Sequence, residues 1–213
     1  MMAYFKAAEN EAGLLERKLF FEKLFIDPQN RIQAISAEEE IQVGKSYSVL
    51  ELIERSIIYS DNQATQLLLS HLDLDYMKQV FARLDIESDI FSVSYSAADT
   101  ISIKEYTSFF RILYNASFLT YDYSELALSI LSRTNFPDGL RAGTPSEVKV
   151  AHKFGEAGKA GEFRQLHDCG IIYYPERPYL LCVMTRGENI GDMASAIKDI
   201  ANFVYTKVDA QLK

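Results

Sequence analysis

The sequence predicts an α+β fold, a helical lobe set against a small antiparallel sheet and closed by a terminal helix. Three observations carry that expectation. Up to about residue 140 the apolar residues recur at helical spacing between recognisable caps. Beyond that point, segments rich in β-branched and aromatic residues follow one another directly. The last stretch, Ile190 to Val208, returns to helical periodicity. Successive strands with no helix between them pair antiparallel, so about three strands packed on the helices bury both sets of apolar faces. The 213 residues are expected to form a single domain, 1–213, with about 1–140 as helical lobe and about 141–213 as sheet and C-terminal helix.

Taken in order, Met1, Met2, Phe5 and Ala8 share a face of a helix over Met1 to Asn10, and Gly13 provides its stop. No capping residue precedes it, although the first N–H groups of a helix need partners. Residues Glu16 to Phe25 mix charged and apolar positions, and Asp27-Pro28-Gln29-Asn30 breaks the chain. Ser48 followed by Glu51 has the form of a capping box and opens a helix from Leu50 to Ile58. Helices follow over Asn62 to Leu72 and Asp75 to Leu84. A second such pair, Ser102 and Glu105, opens the aromatic-rich helix Tyr106 to Tyr114, and Ser124 to Arg133 makes another. Strands are expected over Lys149 to Lys153, Phe163 to Tyr173 and Tyr179 to Thr185, the last two joined by a hairpin connection containing Pro175 and Pro178.

Composition narrows the function. A net charge of -8 with no offsetting Lys/Arg cluster disfavours nucleic acid and anionic membranes, leaving a small-molecule or peptide ligand. No run of about eighteen apolar residues is present, so no membrane span is expected. The opening Met1-Met2-Ala3-Tyr4-Phe5-Lys6 does not have the form of a signal peptide, so localisation is not readable from this chain. Cys169 and Cys182 flank the hairpin connection at positions sharing one face; a bridge is geometrically open, while the commoner reading of a buried cysteine is a small hydrophobe. His71, His152 and His167 show no metal-ligand spacing, and neither a metal nor another cofactor is expected.

Two motifs carry chemistry: Tyr59-Ser60-Asp61-Asn62, entering a helix, and Lys153-Phe154-Gly155 on a later strand. A lone Ser-Asp-Asn makes a good helix cap, because all three side chains accept hydrogen bonds from free N–H groups. Its company gives it another meaning. The pair resembles the second and third signature boxes of the penicillin-recognising serine enzymes, whose set is S-x-x-K, S-D-N and K-T-G. Phe109 to Asn115, Gly139 to Pro145, Asp168 to Tyr173 and Pro178 to Thr185 extend the resemblance to the class A β-lactamase-like lineage over nearly the whole chain.

The resemblance implies a serine hydrolase forming an acyl-enzyme with β-lactams or peptidoglycan-like peptides. In it, Ser60 relays a proton toward the leaving nitrogen, and Lys153 holds positive charge against Ser60 and the substrate carboxylate. Asn62 bonds the acyl side-chain amide, Gly155 lets the ligand lie against the strand edge, and the Glu156 N–H is one oxyanion donor. Phe154 stands where the family has Thr or Ser, placing a ring at a substrate-binding position and removing a hydroxyl that meets the carboxylate. The Glu-x-x-Leu-Asn pattern that supplies the deacylating glutamate is absent between Leu84 and Thr100, where Asp85, Glu87, Asp89 and Asp99 are the only carboxylates.

In that family the S-x-x-K box lies about sixty residues ahead of S-D-N, which here falls just before Met1. The spacings Ser146 to Lys149 and Ser195 to Lys198 match it only in the approach to the Lys153 strand and in the terminal helix. The expectation is a β-lactamase-like chain truncated at its N-terminal side, without the nucleophile and inactive, whose longer parent works outside the cytoplasm. The other reading is a non-catalytic binding or scaffold protein that keeps the fold. Without the strands that the family contributes from its N-terminal region, Tyr179 to Thr185 becomes an apolar edge through which a homo-oligomer would form.

Overall fold

The computed structural model describes residues 1–26, 34–35, 37–84, 102–158 and 163–211. The chain break expected at Asp27 to Asn30 and the carboxylates Asp85, Glu87, Asp89 and Asp99 lie outside them. Helix α1 (Met2–Ala8) leads to β1 (Lys18–Phe20) and β2 (Ser46–Ser48), which pair antiparallel, and then to α2 (Val49–Ile58), α3 (Asn62–Ser70) and α4 (Leu74–Arg83). After α5 (Ile103–Tyr114) and α6 (Tyr121–Leu131) come β3 (Val150–Ala157), β4 (Arg164–Ile172), β5 (Tyr179–Gly187) and α7 (Ile190–Gln211). The second sheet is antiparallel in the order β3-β4-β5, as expected from consecutive strands.

Helix starts follow their caps. Asp61 caps α3, its Oδ1 accepting from the Gln63 and Ala64 N–H groups at 2.8 and 3.0 Å. Asp73 does the same for α4. The Ser102–Glu105 box of α5 is complete, whereas Ser48 accepts from the Glu51 N–H while the Glu51 carboxylate turns along the helix to Arg55. Helix α6 begins three residues ahead of the expected Ser124, at Tyr121, where the Glu9 carboxylate takes the Thr120 N–H at 2.7 Å; a partner from α1 sets this start. Strand β3 runs past Lys153 to Ala157 because its pairing continues to Ala157 opposite Gln165, outweighing the poor strand propensity of Gly155 and Glu156.

The sheet lies between two apolar layers. On one face Ala151, Cys169 and Ile171 join the core built by Phe5, Leu52, Ile53, Ala64, Leu128 and Ile130 of the helical lobe. On the other, Val150, Phe154, Leu166 and Ile172 pack on Met193, Ile197 and Ala201 of α7. Strand alternation divides these residues between the two layers. Cys169 and Cys182 are directly opposed in the β4–β5 register and form a disulfide, which corrects the reading of either as a free buried thiol. Strand β5 stands at one edge of the sheet and β3 at the other.

Gly143 marks the closest approach to α7. A Cβ there would stand 2.4 Å from the Lys198 carbonyl oxygen and 2.5 Å from the Ala201 Cβ, so any side chain pushes the helix away. Gly143→Ala is expected to destabilise the fold by about 1–3 kcal/mol in urea titration. Gly155→Ala, whose Cβ meets nothing within 4 Å, should leave the midpoint near the wild-type value.

Candidate active site

Ser60 occupies the turn between α2 and α3 with φ at 55°, a left-handed conformation unusual for a residue with a side chain. The turn is fixed on both sides. Asp61 N–H donates to the Arg55 carbonyl at 3.2 Å, the Asp61 carboxylate caps α3 and also takes the Ile41 N–H, and Asn135 N–H donates to the Ile58 carbonyl at 2.7 Å. Ser60 is therefore held at 7% exposure with its hydroxyl turned toward β3. Lys153 Nζ donates to Ser60 Oγ in a short, direct contact across 93 residues of sequence. Bringing these two groups together satisfies a buried hydroxyl and a largely buried ammonium at once.

Two further groups meet Lys153. Its Nζ sits 4.1 Å from the centroid of the Phe154 ring, which in turn stacks on Phe136 at 4.4 Å. The Tyr106 hydroxyl of α5 donates to the Lys153 carbonyl oxygen at 2.9 Å. Burial lowers the Lys153 pKa from 10.5 to about 8, and the Asp168 carboxylate acts in the opposite direction. Burial, reinforced by Asp168, pushes the Tyr106 phenol well above its ordinary value, so it remains a hydrogen-bond donor. Lys153 and Tyr106 also line an apolar cavity of about 530 Å³ between α1, α3, α4 and α5.

The remaining sequence-predicted residues fall as follows. Asn62 is half-buried at the first position of α3, next to Ser60. Phe154, read from sequence as a substrate-binding position, is buried at 4% exposure in the layer facing α7, where it gives its ring to Lys153 and Phe136. Gly155 has open space where a Cβ would stand. The Glu156 side chain accepts from the Ile35 N–H at 2.9 Å and pairs with Arg164 at 3.3 Å. Tyr173 N–H donates to the Lys149 carbonyl at 2.9 Å; ladder alternation from there directs the Glu156 N–H to the free edge of β3. Ser195 and Lys198 are exposed on α7, away from this turn.

Sequence reasoning did not find Tyr106, Phe136 or Asp168, whose roles arise only when α5, the loop after α6 and β4 converge on β3. Tyr106 and Phe136 stand in no motif, and Asp168, which opens the resembling stretch Asp168 to Tyr173, carries no role there. His167 Nε2 lies 3.0 Å from Gln165 Oε1, and burial holds its pKa below the ordinary value. Among the described residues, no cluster of three or more His, Cys, Asp or Glu side chains is arranged to hold a metal ion, and no helix is long and apolar enough to cross a membrane.

The buried ammonium makes stability depend on pH. With a folded pKa of about 8 against 10.5 for the unfolded chain, the unfolded state binds more protons between those values, so Lys153 makes stability rise with pH across that window. Subtracting the urea midpoints of Lys153→Met from those of the wild type between pH 7 and about 10 should isolate this rise; a flat difference curve would contradict the burial effect.

A sequence profile described as the β-lactamase enzyme family matches residues 1–208. No curated protein matches the chain. Among solved structures, PBP-A shares 20% identity, with a TM-score of 0.75 over 98% of this chain and 77% of that one. A class A β-lactamase from Mycobacterium abscessus shares 20% identity, with a TM-score of 0.76 over 98% of this chain and 81% of that one. A variant of the reconstructed class A β-lactamase of the last common ancestor of Gram-negative bacteria shares 21% identity, with a TM-score of 0.77 over 99% of this chain and 81% of that one. These likenesses establish the fold, and the profile match over nearly the full length establishes the relationship: the chain belongs to the β-lactamase enzyme family.

Proposed function

We propose that the cleft around Ser60 and Lys153 receives a carboxylate-bearing acyl compound, a β-lactam or a peptidoglycan-like peptide, in a serine-hydrolase site of the β-lactamase type. The observation that supports this reading is the direct hydrogen bond from the Lys153 ammonium to the Ser60 hydroxyl. In acyl transfer, Ser60 Oγ passes a proton toward the leaving nitrogen and is resupplied through Lys153, whose pKa of about 8 suits proton exchange near neutrality. The same ammonium attracts the ligand carboxylate. Asn62 bonds the acyl amide, the open face above Gly155 accommodates the ligand backbone, and the Glu156 N–H offers one oxyanion donor at the strand edge. A mutant of PBP-A has been solved as an acyl-enzyme with penicillin G, which makes that compound a suitable probe.

These 213 residues carry no Ser-x-x-Lys at the family's distance from Ser60, so the chain by itself is expected to bind without acylation. Incubation with penicillin G and intact-mass measurement should show no adduct. Calorimetry should show binding that falls at least tenfold in Lys153→Ala, as expected when a charged partner is removed. A stable penicilloyl adduct on the chain would overturn the non-covalent reading, and binding unaffected by Lys153→Ala would overturn the clamp. The second reading, a binding protein that retains the fold, is favoured by Phe154, which replaces the family's hydroxyl residue and turns its ring into the core.

The same proposal puts the protein outside the cytoplasm, where peptidoglycan-like ligands are found. It also makes β5 an association surface. This strand lies at a sheet edge, and Leu180 is 39% exposed on it. Sedimentation at micromolar concentration should show a homo-oligomer that Leu180→Pro, at a position whose N–H faces the free edge, disperses, and a monodisperse wild-type monomer would contradict it.

A further inference from the structure

Close-packed interiors keep few voids larger than a water molecule, yet the helical lobe holds a cavity of about 530 Å³, within the range of small-molecule sites. The proposed chemistry makes no use of it. Met77, Val80, Phe110 and Leu113 form its buried wall, while Leu74, at 58% exposure, carries the apolar lining out to the surface at the start of α4. Four lining hydroxyls are already committed to backbone carbonyls. Tyr4 donates to Leu68 at 2.7 Å, Ser56 to Ile53 at 2.9 Å, Thr65 to Asp61 at 3.0 Å and Tyr106 to Lys153 at 2.9 Å. Lys153 differs. One of the three N–H donors of its ammonium goes to Ser60, and among the described residues it is the one lining side chain that carries a charge.

We propose that this cavity binds a monocarboxylate with an aliphatic chain, a ligand of the fatty-acid type, the chain lying among the apolar side chains of α3, α4 and α5 and the carboxylate meeting the Lys153 ammonium. The wall selects this chemistry by what it withholds. A ligand with polar groups along its length would lose their water and find the lining hydroxyls already engaged. An aliphatic chain loses nothing there, and each methylene taken out of water strengthens binding about three- to fourfold. A single anionic end matches the single charged side chain, because a carboxylate beside Lys153 gains a charge-assisted hydrogen bond. A cationic end would meet like charge. The inference shares with the preceding reading only the role of Lys153 as carboxylate partner: a β-lactam or peptide would lie along β3, whereas the aliphatic chain turns away from β3 into the helical lobe.

Calorimetry at pH 7 with hexanoate, octanoate and decanoate, each below its micelle-forming concentration, tests this on the intact chain. Affinity is expected to rise about three- to fourfold per methylene through the series. Octylammonium, similar in length and opposite in charge, should bind at least tenfold more weakly than octanoate, and Lys153→Met should weaken decanoate by a similar factor. Leu69→Trp and Leu72→Trp, which place an indole in the cavity, should each weaken decanoate at least tenfold; if one fails to fold, the other decides. In methyl NMR spectra decanoate should shift Met77 and Leu113 and leave Met193 and Ile197, across the sheet on α7, in place. Affinity independent of chain length, octylammonium binding as tightly as octanoate, or decanoate binding untouched by the indole overturns the proposal. Lys153-dependent binding of penicillin G without any binding of decanoate overturns this inference alone. Decanoate binding with the expected dependences and no binding of penicillin G overturns the preceding reading alone.

Discussion

An ammonium group withdrawn from water must be met by other dipoles and charges, and around Lys153 that requirement sets the local architecture. The hydroxyl of Ser60, the face of Phe154 and the field of Asp168 approach the lysine from different elements of the chain. None would be in place on propensity alone. Ser60 is kept in a left-handed turn because Asp61 is committed to the first turn of α3 and to Ile41, leaving the preceding residue no freedom to relax.

The segment between α6 and β3 joins these contributions mechanically. Asn135 ties it to the end of α2, Thr134 to the edge of β3, Phe136 to the ring beside Lys153, and Leu140 to the buried carboxylate. Gly139 and Gly143 allow it to run in contact with Asp168 and with the backbone of α7. This irregular stretch thereby couples the helical lobe, the sheet and the terminal helix.

Much of the architecture was legible because amphipathic helices and capping side chains write their periods into short stretches of sequence. The seven helices among the described residues, including the complete Ser102–Glu105 box, and the three-strand succession follow from that local information. The pairing of β1 with β2 did not, since two three-residue strands are too short for alternation to register. Nor did the early start of α6, which depends on Glu9 from the far end of the chain. At the site, Ser60 and Lys153 were found through motif company, while Tyr106 reads only as one more aromatic on a helix face. The direction of the Phe154 ring has the same origin: its neighbour Phe136 and the α7 layer claim it, and neither is visible from the tripeptide Lys153-Phe154-Gly155.

The disulfide joins β4 and β5 at opposed positions, well inside the hairpin. Shortening, lengthening or severing the exposed tip over residues 175–177 would thus not release the outer strand, for the two halves remain one covalent molecule aligned residue for residue. The tip of the hairpin is consequently free to diversify, whereas the alignment of the strands behind Lys153 is locked by sulfur chemistry and inherits its sensitivity to reductants.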